Sequence, residues 1–226
     1  MAEGPRDESA FEESILDSVK QLPMHALPSQ GVYCYSNAGY NLLALIAVKV
    51  TGQPFSKLMQ ERVLKPLGMK RSTFDFLVAA SYPLSQPHDL DENGNLRALH
   101  RHRMNTIYHG AGGLFSNASD LCALARFFLN NGVTDEGKRL LPEARVNQIL
   151  KKRVRRDGYE HYGYGMFIRE KDGRCLFGHT GNYDPYNSSV FFDLKSGYGV
   201  AVLINTIGCE SLRYTIPECI FALLDE

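Results

Sequence analysis

The chain has 226 residues, of which 44% are hydrophobic and 22% are charged, and its formal net charge is zero. This composition is typical of a globular protein that forms one domain, or one domain with two lobes. Without an excess of positive charge, the chain has no electrostatic basis for binding nucleic acid or an anionic membrane.

The cysteines and the N-terminal residues bear on the cellular compartment. The five cysteines are irregularly spaced and include no Cys-x-x-Cys pair, which fits neither a zinc site nor a disulfide framework. Free thiols favour a reducing compartment. Residues 1–9 lack the apolar segment of a signal peptide, and the longest apolar run, 42–50, is too short to cross a bilayer. We therefore expect a cytoplasmic protein.

The first part of the chain predicts helices. Apolar residues recur at helical spacing over 11–22, and Ser9 can cap that helix. The run from Gly39 to Val50 is apolar on all sides, which predicts a buried helix with Gly52 as its C-terminal cap. Residues 72–109 contain several prolines and little periodicity, which is typical of irregular loops with short strands.

Two more helices are expected after these loops. Ser116 or Ser119 is positioned to cap the first, and the second is expected over residues 143–152. The basic run 151–156 then lies at a helix C-terminus, where positive charges are stabilised. We interpret this run as a solvated helix end, and a contact with nucleic acid is the alternative.

The last third of the chain changes to an apolar period of two, which predicts strands. Residues 164–168 and 174–177 flank a turn signal and form one hairpin, and residues 188–194 and 199–205 form a second. Residues 210–224 predict a helix that covers the sheet.

The predicted architecture is α+β. We expect a disordered terminus over residues 1–10 and one domain over 11–226. Within that domain we expect a helical lobe over 11–158 and an antiparallel sheet lobe over 159–226.

Histidines cluster in one part of the chain. The basic run 100–103 contains two of them, and His109 follows. These side chains could serve as metal ligands, but no Asp, Glu or Cys stands at ligand spacing. We therefore expect neither a metal nor another cofactor, and we interpret the run as bordering a cleft.

A polar and aromatic turn, Tyr33–Tyr40, precedes the apolar helix. Asn37 can cap that helix, which leaves Tyr35 and Ser36 just outside it, where loops display side chains for chemistry. Taken alone, the turn favours a capped helix with two structural tyrosines, because so short a motif often occurs by accident. Far downstream, residues 177–182 read as a strand that leads into a loop.

The triplets Tyr35-Ser36-Asn37 and His179-Thr180-Gly181 resemble two motifs of the serine β-lactamases of class C type, the DD-peptidases and related esterases. In that family a Tyr-x-Asn triplet faces a Lys/His-Thr-Gly strand across a cleft. Three further stretches resemble family segments in the same order: Pro66–Met69, Gly110–Ser116 and Tyr162–Met166. Each motif is weak alone, but five in order over roughly residues 11–224 identify the chain as a member of the family.

The resemblance implies a β-lactamase/DD-peptidase-like fold. A helical lobe would pack against an antiparallel sheet with a C-terminal helix, without the family's N-terminal strands and nucleophile helix. It also implies roles for six residues: Tyr35 would act as general base or acid, and Asn37 would orient a lysine and the substrate amide. His179 and Thr180 would bind a substrate carboxylate. Gly181 would also belong to the substrate-binding strand, and the backbone N–H of the next residue, Asn182, would form half of an oxyanion hole.

The family's nucleophile lies in a Ser-x-x-Lys motif, and no serine of this chain has a lysine three positions later. Ser36 has no general base of its own, and we expect Cys34 to point into the core, away from Tyr35. A tyrosine with the usual pKa of about 10 is ionised at pH 7 in only about one molecule in a thousand. We therefore expect the chain to be inactive or incomplete alone.

Two functional hypotheses follow. The first is a family member that transfers acyl groups of lactam, amide or ester substrates, with a small acyl or carboxylate compound as its partner. The second is a non-catalytic pseudoenzyme that binds a carboxylate ligand, or that binds a partner or itself through an open sheet edge.

Overall fold

The structure, a computed structural model, describes residues 13, 15–17, 19–21, 23–99 and 110–224. Residues 13, 15–17, 19 and 20 are helical, in agreement with the predicted first helix. Ser9, the run 100–103 and His109 lie outside the described residues, as does the expected disordered terminus.

The helical part of the fold comes first in the chain. A short 3-10 turn, Pro28–Gln30, precedes its first long helix. The short strands expected within 72–109 are present as a hairpin, whereas the sequence pattern does not predict the short helix in front of them. The elements are α1 (Asn37–Thr51), α2 (Phe55–Met59) with a π-helical turn (Gln60–Leu64), α3 (Phe76–Ala80), β1 (His88–Leu90), β2 (Leu96–Ala98), α4 (Ala118–Leu129) and α5 (Glu143–Ile149).

A six-stranded antiparallel sheet follows. The turn between its third and fourth strands has positive φ at Asp172 and Gly173 (52° and 77°), which is the geometry of a two-residue hairpin turn, so the predicted hairpin is confirmed. Helix α6 (Leu212–Leu223) then packs on the sheet, as expected. In their spatial order the strands are β3 (Val154–Arg155), β4 (Glu160–Tyr162), β5 (Phe167–Lys171), β6 (Arg174–Tyr183), β7 (Tyr186–Asp193) and β8 (Tyr198–Ile204).

Helix α1 is capped by Ser36 and not by Asn37. The Ser36 backbone is extended, with φ −138°, and its hydroxyl oxygen accepts a hydrogen bond from the Gly39 N–H at 3.0 Å. Asn37 is the first helical residue, so the expectation that it caps the helix is wrong. Gly52 ends the helix in the left-handed conformation (φ 65°), as predicted.

The prediction that α1 is buried on all sides is also wrong. Ala44 and Leu45 are buried, but Leu43, Ile46 and Val50 are 58%, 50% and 80% exposed. These three recur at helical spacing and form one apolar face, called here the α1 stripe. The described residues cover the opposite side of the helix, and an apolar sequence alone does not show which side is covered.

Helix α4 is capped by Asn117, whose side-chain oxygen accepts a hydrogen bond from the Asp120 N–H at 2.9 Å. The expectation that Ser116 or Ser119 caps it is therefore wrong. Ser116 instead shares a 2.8 Å hydrogen bond with the buried Ser72 hydroxyl, which ties α4 to the segment after the π-helical turn.

The basic run 151–156 begins directly after the end of helix α5, and five of its six residues are exposed, as expected of a solvated helix end. Helix α5 stops at Ile149, and the chain continues into β3, which pairs with β4. Arg156 forms an ion pair with the buried Glu160, and Lys152 forms one with Glu170 on β5. Two of the positive charges are thus matched by carboxylates of the sheet, whereas Arg153 donates to the Gln148 carbonyl in the last turn of α5 at 3.3 Å.

Apolar side chains cover both faces of the sheet. On one face, the ring of Phe192 on β7 stacks on that of Phe128 on α4, with centroids 5.5 Å apart. Its neighbour Phe191 points to the other face, where it packs against Phe221 of α6. This burial on two sides holds β6 and β7 in place.

In the described part of the chain, no single helix is long and apolar enough to cross a membrane. Helix α1 and the α2 segment reach that length only as a pair bent by 84°.

Two leucines provide a matched test of this core. Leu64 is 2% exposed and belongs to the large cluster under α4, whereas Leu77 on α3 is 77% exposed. We expect Leu64→Ala to lower the free energy of unfolding by about 2–5 kcal/mol, because it removes buried methyl groups and leaves a cavity. Leu77→Ala should change it by less than about 0.5 kcal/mol. Urea unfolding followed by circular dichroism measures both, and equal effects would contradict this description of the core.

Candidate active site

The structure brings the two predicted motifs together. Tyr35 lies in the loop that leads into α1, and His179 lies on β6. Their ring centroids are 6.2 Å apart, with an angle of 31° between the ring planes. Tyr35 is 48% exposed, so the pair is open to solvent on the tyrosine side.

The end of β6 is accessible because its neighbour on one side is shorter. Strand β5 pairs with β6 only as far as Gly178, whereas β7 continues alongside β6 to Tyr183. Gly178 itself has no room for a side chain, since a Cβ there would lie 2.0 Å from the Val190 carbonyl oxygen. Residues 179–183 therefore form a strand segment that the described residues pair on one side only.

Both ring nitrogens of the His179 imidazole have a hydrogen-bond partner. Its Nε2 lies 3.1 Å from the Tyr162 hydroxyl, and its Nδ1 lies 2.7 Å from the Thr180 carbonyl oxygen. The ring stacks on Phe167 with centroids 4.6 Å apart. Burial lowers the pKa of His179, and the positive charge of Arg156 lowers it further, against the raising effect of the hydrogen bond to Thr180. The ring is therefore neutral at pH 7.

Tyr35 belongs to a group of phenols. Its ring lies 6.4 Å from that of Tyr162. Burial raises the pKa of Tyr35, and the neighbouring Tyr40 and Tyr214 phenols raise it further, while Arg156 acts in the opposite direction. In this environment the phenol of Tyr35 ionises less readily than that of a free tyrosine. A general-base role therefore requires a further positive charge.

The remaining predicted site residues lie on the same two segments of the chain, at the start of α1 and on β6. The Thr180 hydroxyl is 3.5 Å from the Tyr214 hydroxyl, which is long for a hydrogen bond, and the Gly181 carbonyl accepts one from Arg213 at 3.2 Å. Asn182 is an exposed residue near the end of β6. Asn37 is exposed at the start of α1.

The structure shows the positions of the two alternative nucleophiles, Ser36 and Cys34. The Ser36 hydroxyl serves as the cap of α1. Cys34 is exposed, so the expectation that it points into the core is wrong. The turn before α1 does not follow the alternation of a regular strand, so alternation does not predict which of its side chains are buried. All five cysteines are free.

Sequence reasoning missed three groups that shape the site. Tyr162 stands in the Tyr-Gly-Tyr-Gly segment that marked the entry into the strands, and that segment was its only signal. Arg156 was hidden in the basic run. Arg213, which bonds to Gly181 and to the Asn187 side chain at 2.6 Å, lies at the start of α6 without a motif. Within the described residues, no group of His, Cys, Asp or Glu is arranged to hold a metal ion.

Comparison with known proteins shows the family of the chain. The sequence model of the family described as Beta-lactamase matches residues 1–213. A curated protein of Escherichia coli (strain K12), which carries the provisional name D-alanyl-D-alanine carboxypeptidase, is 30% identical over 136 residues, 52% of this chain and 31% of that protein. The chain therefore belongs to the beta-lactamase family, and the resemblance seen in the sequence is confirmed.

Solved structures show the same fold. The octameric penicillin-binding protein homologue from Pyrococcus abyssi has a TM-score of 0.76 and 24% identity, over 94% of this chain and 47% of that one. A D-amino acid amidase from Ochrobactrum anthropi has a TM-score of 0.65 and 20% identity, over 95% of this chain and 62% of that one. The predicted β-lactamase/DD-peptidase-like fold is thus confirmed. The chain spans less than two thirds of the length of each of these proteins.

The state of His179 predicts how stability depends on pH. Its pKa is lowered in the folded chain, so below the ordinary value of 6.5 the unfolded chain binds a proton that the folded chain does not. The free energy of unfolding should therefore fall as the pH drops from about 7.5 to 5.5.

We expect a shallower fall in His179→Asn, whose amide can still donate to the Thr180 carbonyl but does not titrate. Urea titrations at three pH values measure both chains, and the other histidines are present in each. Parallel pH profiles would contradict a buried neutral imidazole.

Proposed function

We propose that this chain carries half of an acyl-transfer site for lactam, amide or ester carbonyls. The observation that carries the proposal is the 6.2 Å approach of the Tyr35 and His179 rings, which lie far apart in the sequence. Membership of the beta-lactamase family supports the same chemistry. Both neighbours named above, a penicillin-binding protein homologue and an amidase, share the fold.

In this proposal the residues around the start of α1 and those at the end of β6 have separate tasks. The Tyr35 phenol moves the proton of the attacking nucleophile, and Asn37 orients the substrate amide. The strand segment from Thr180 to Asn182 receives the substrate carbonyl, since its backbone is paired on one side only among the described residues. The Asn182 N–H is the donor that stabilises the oxyanion.

The nucleophile must come from elsewhere, because the sequence contains no Ser-x-x-Lys. A longer form of the protein or a second chain could supply it. The α1 stripe follows directly after the Tyr35 turn and offers an apolar face on which such a segment could pack. Loss of the nucleophile reduces turnover on the order of a millionfold in a well-studied hydrolase of another family.

Turnover assays test the proposal directly. We expect the purified chain alone to hydrolyse a nitrophenyl ester or a chromogenic cephalosporin no faster than buffer. A form that includes a Ser-x-x-Lys segment should hydrolyse at least one of them, with a loss of about 100-fold or more in Tyr35→Phe.

Tyr33→Phe is the matched control, because Tyr33 is a neighbouring phenol that lies 5.7 Å from the Tyr162 ring and has no assigned task. Its activity should stay near that of the parent form. Turnover by the 226-residue chain alone that disappears in Tyr35→Phe would show that the chain contains its own nucleophile and would refute the half-site.

A second candidate function is a non-catalytic scaffold that associates through its sheet. Strand β8 is the last in the sheet order, and in the described part of the chain residues 198–204 pair with β7 alone. Tyr198 and Leu203 on this strand are 56% and 45% exposed. An edge of this kind is a template for pairing with another strand.

Sedimentation separates this candidate from the first. If the edge pairs between copies, the average mass should rise with concentration, and Leu203→Lys should restore the monomer, because a lysine on an edge strand opposes pairing. Leu77→Lys, at an exposed leucine of α3, is the control and should not affect the mass. A monomer at every concentration would exclude self-association through this edge.

A further inference from the structure

The hydrogen bonds of His179 fix the position of its proton. The Thr180 carbonyl oxygen, 2.7 Å from Nδ1, can only accept a hydrogen bond. Nδ1 must therefore carry the proton. In a neutral imidazole the other nitrogen is then an acceptor, so at Nε2 the Tyr162 hydroxyl is the donor across 3.1 Å.

The Tyr162 hydroxyl has a second hydrogen-bond partner, the Tyr40 hydroxyl. Burial, the largest influence, raises the pKa of Tyr162, so its proton remains in place at any pH near neutral. The ring of Tyr162 packs edge-on against Phe167, on which His179 is stacked, with centroids 5.0 Å apart.

Resting on the acyl-transfer function proposed above, we propose that Tyr162 is a positioning residue that holds His179 as a neutral imidazole protonated on Nδ1. We further propose that the site consequently takes neutral amides or esters and does not select for a substrate carboxylate at His179. The second statement departs from the expectation that His179 binds a carboxylate.

The surroundings of the ring favour the neutral form from every side. Tyr162 faces it from β4, Arg156 from the turn after β3, and Tyr35 from the loop before α1. The one charged group among them is positive, so it opposes a second positive charge on the ring. In a cationic His179, Nε2 would be a donor, so the Tyr162 hydroxyl would also have to turn its proton away from it.

A substrate that reaches this strand therefore meets no free imidazole N–H. Nδ1 is bonded to the Thr180 carbonyl and Nε2 to Tyr162. The polar groups of this strand left for a ligand are the Thr180 hydroxyl, the Asn182 side chain and backbone groups of residues 179–183, and none of them is charged. The guanidinium beside them, that of Arg213, is already bonded to the Gly181 carbonyl and to the Asn187 side chain. The uncharged groups hydrogen-bond a neutral carbonyl or amide as well as a carboxylate.

Nitrogen-15 NMR of chain labelled at histidine tests the first part without any substrate. Two-bond proton–nitrogen spectra distinguish the three protonation states, and His179→Asn assigns the signal. We expect the Nδ1–H form at pH 7, whereas a free histidine favours Nε2–H. An Nε2–H or doubly protonated ring would overturn the proposal.

Two variants, one of them a control, test the role of Tyr162. In Tyr162→Phe the Nε2 resonance of His179 should shift, because that nitrogen loses the hydrogen bond it accepts. In Tyr164→Phe it should not move, since Tyr164 is 61% exposed and stacks on Arg153. A thermal melt of each variant checks that it is folded. Identical Nε2 shifts in the two folded variants would overturn the role of Tyr162.

Calorimetry with N-acetyl-D-alanine amide and N-acetyl-D-alanine tests the substrate class. We expect the amide to bind at least as tightly as the acid, and the acid to gain less than about threefold in affinity between pH 7 and pH 6. An acid that binds more than tenfold tighter would overturn the assignment. If neither compound binds, the substrate class and the proposed acyl-transfer function both fail, while the NMR result still decides the role of Tyr162.

Discussion

The candidate site depends on the unequal lengths of two neighbouring strands. Strand β6 runs to Tyr183, but its partner β5 ends its pairing at Gly178. The first half of β6 is therefore ordinary sheet interior, and the second half is an edge that is still supported by β7. His179 and Thr180 thus lie on the same continuous strand as residues of the core. No loop separates these two side chains from the packed part of the sheet, which keeps them in fixed positions.

The core and the site share this strand, but the core needs apolar side chains and the site needs polar ones. Phe191 and Phe192, opposite β6, are 0% and 1% exposed, and they fill the two faces of the sheet. Two residues further back along β7, in register with Thr180, stands Ser189. Apolar packing gives way to polar groups within this short distance, which places the site at the margin of the core, where rigidity and access to solvent are both available.

Sequence patterns predicted the elements that depend on long apolar periods, and they brought Tyr35 and His179 into one hypothesis through motif order. The sequence patterns failed where two adjacent residues can fill the same structural role. Ser36 and Asn37 can each cap a helix, and only the backbone conformation shows that Ser36 does so. They also failed for Arg156, because a charge has no periodicity, and its partner Glu160 becomes visible only when β3 and β4 are paired.

The electrostatics of the site identify what it lacks. Burial raises the pKa of Tyr35 and lowers that of His179, so at pH 7 both groups are neutral. Ionising a tyrosine of ordinary pKa at that pH costs about 4 kcal/mol, and the raised pKa of Tyr35 increases this cost. Among the groups that act on Tyr35, Arg156 opposes the increase, but it is paired with Glu160. Under the proposed acyl transfer, a lysine brought next to the phenol would supply the positive charge, so we expect the component that provides a serine nucleophile also to provide a cation.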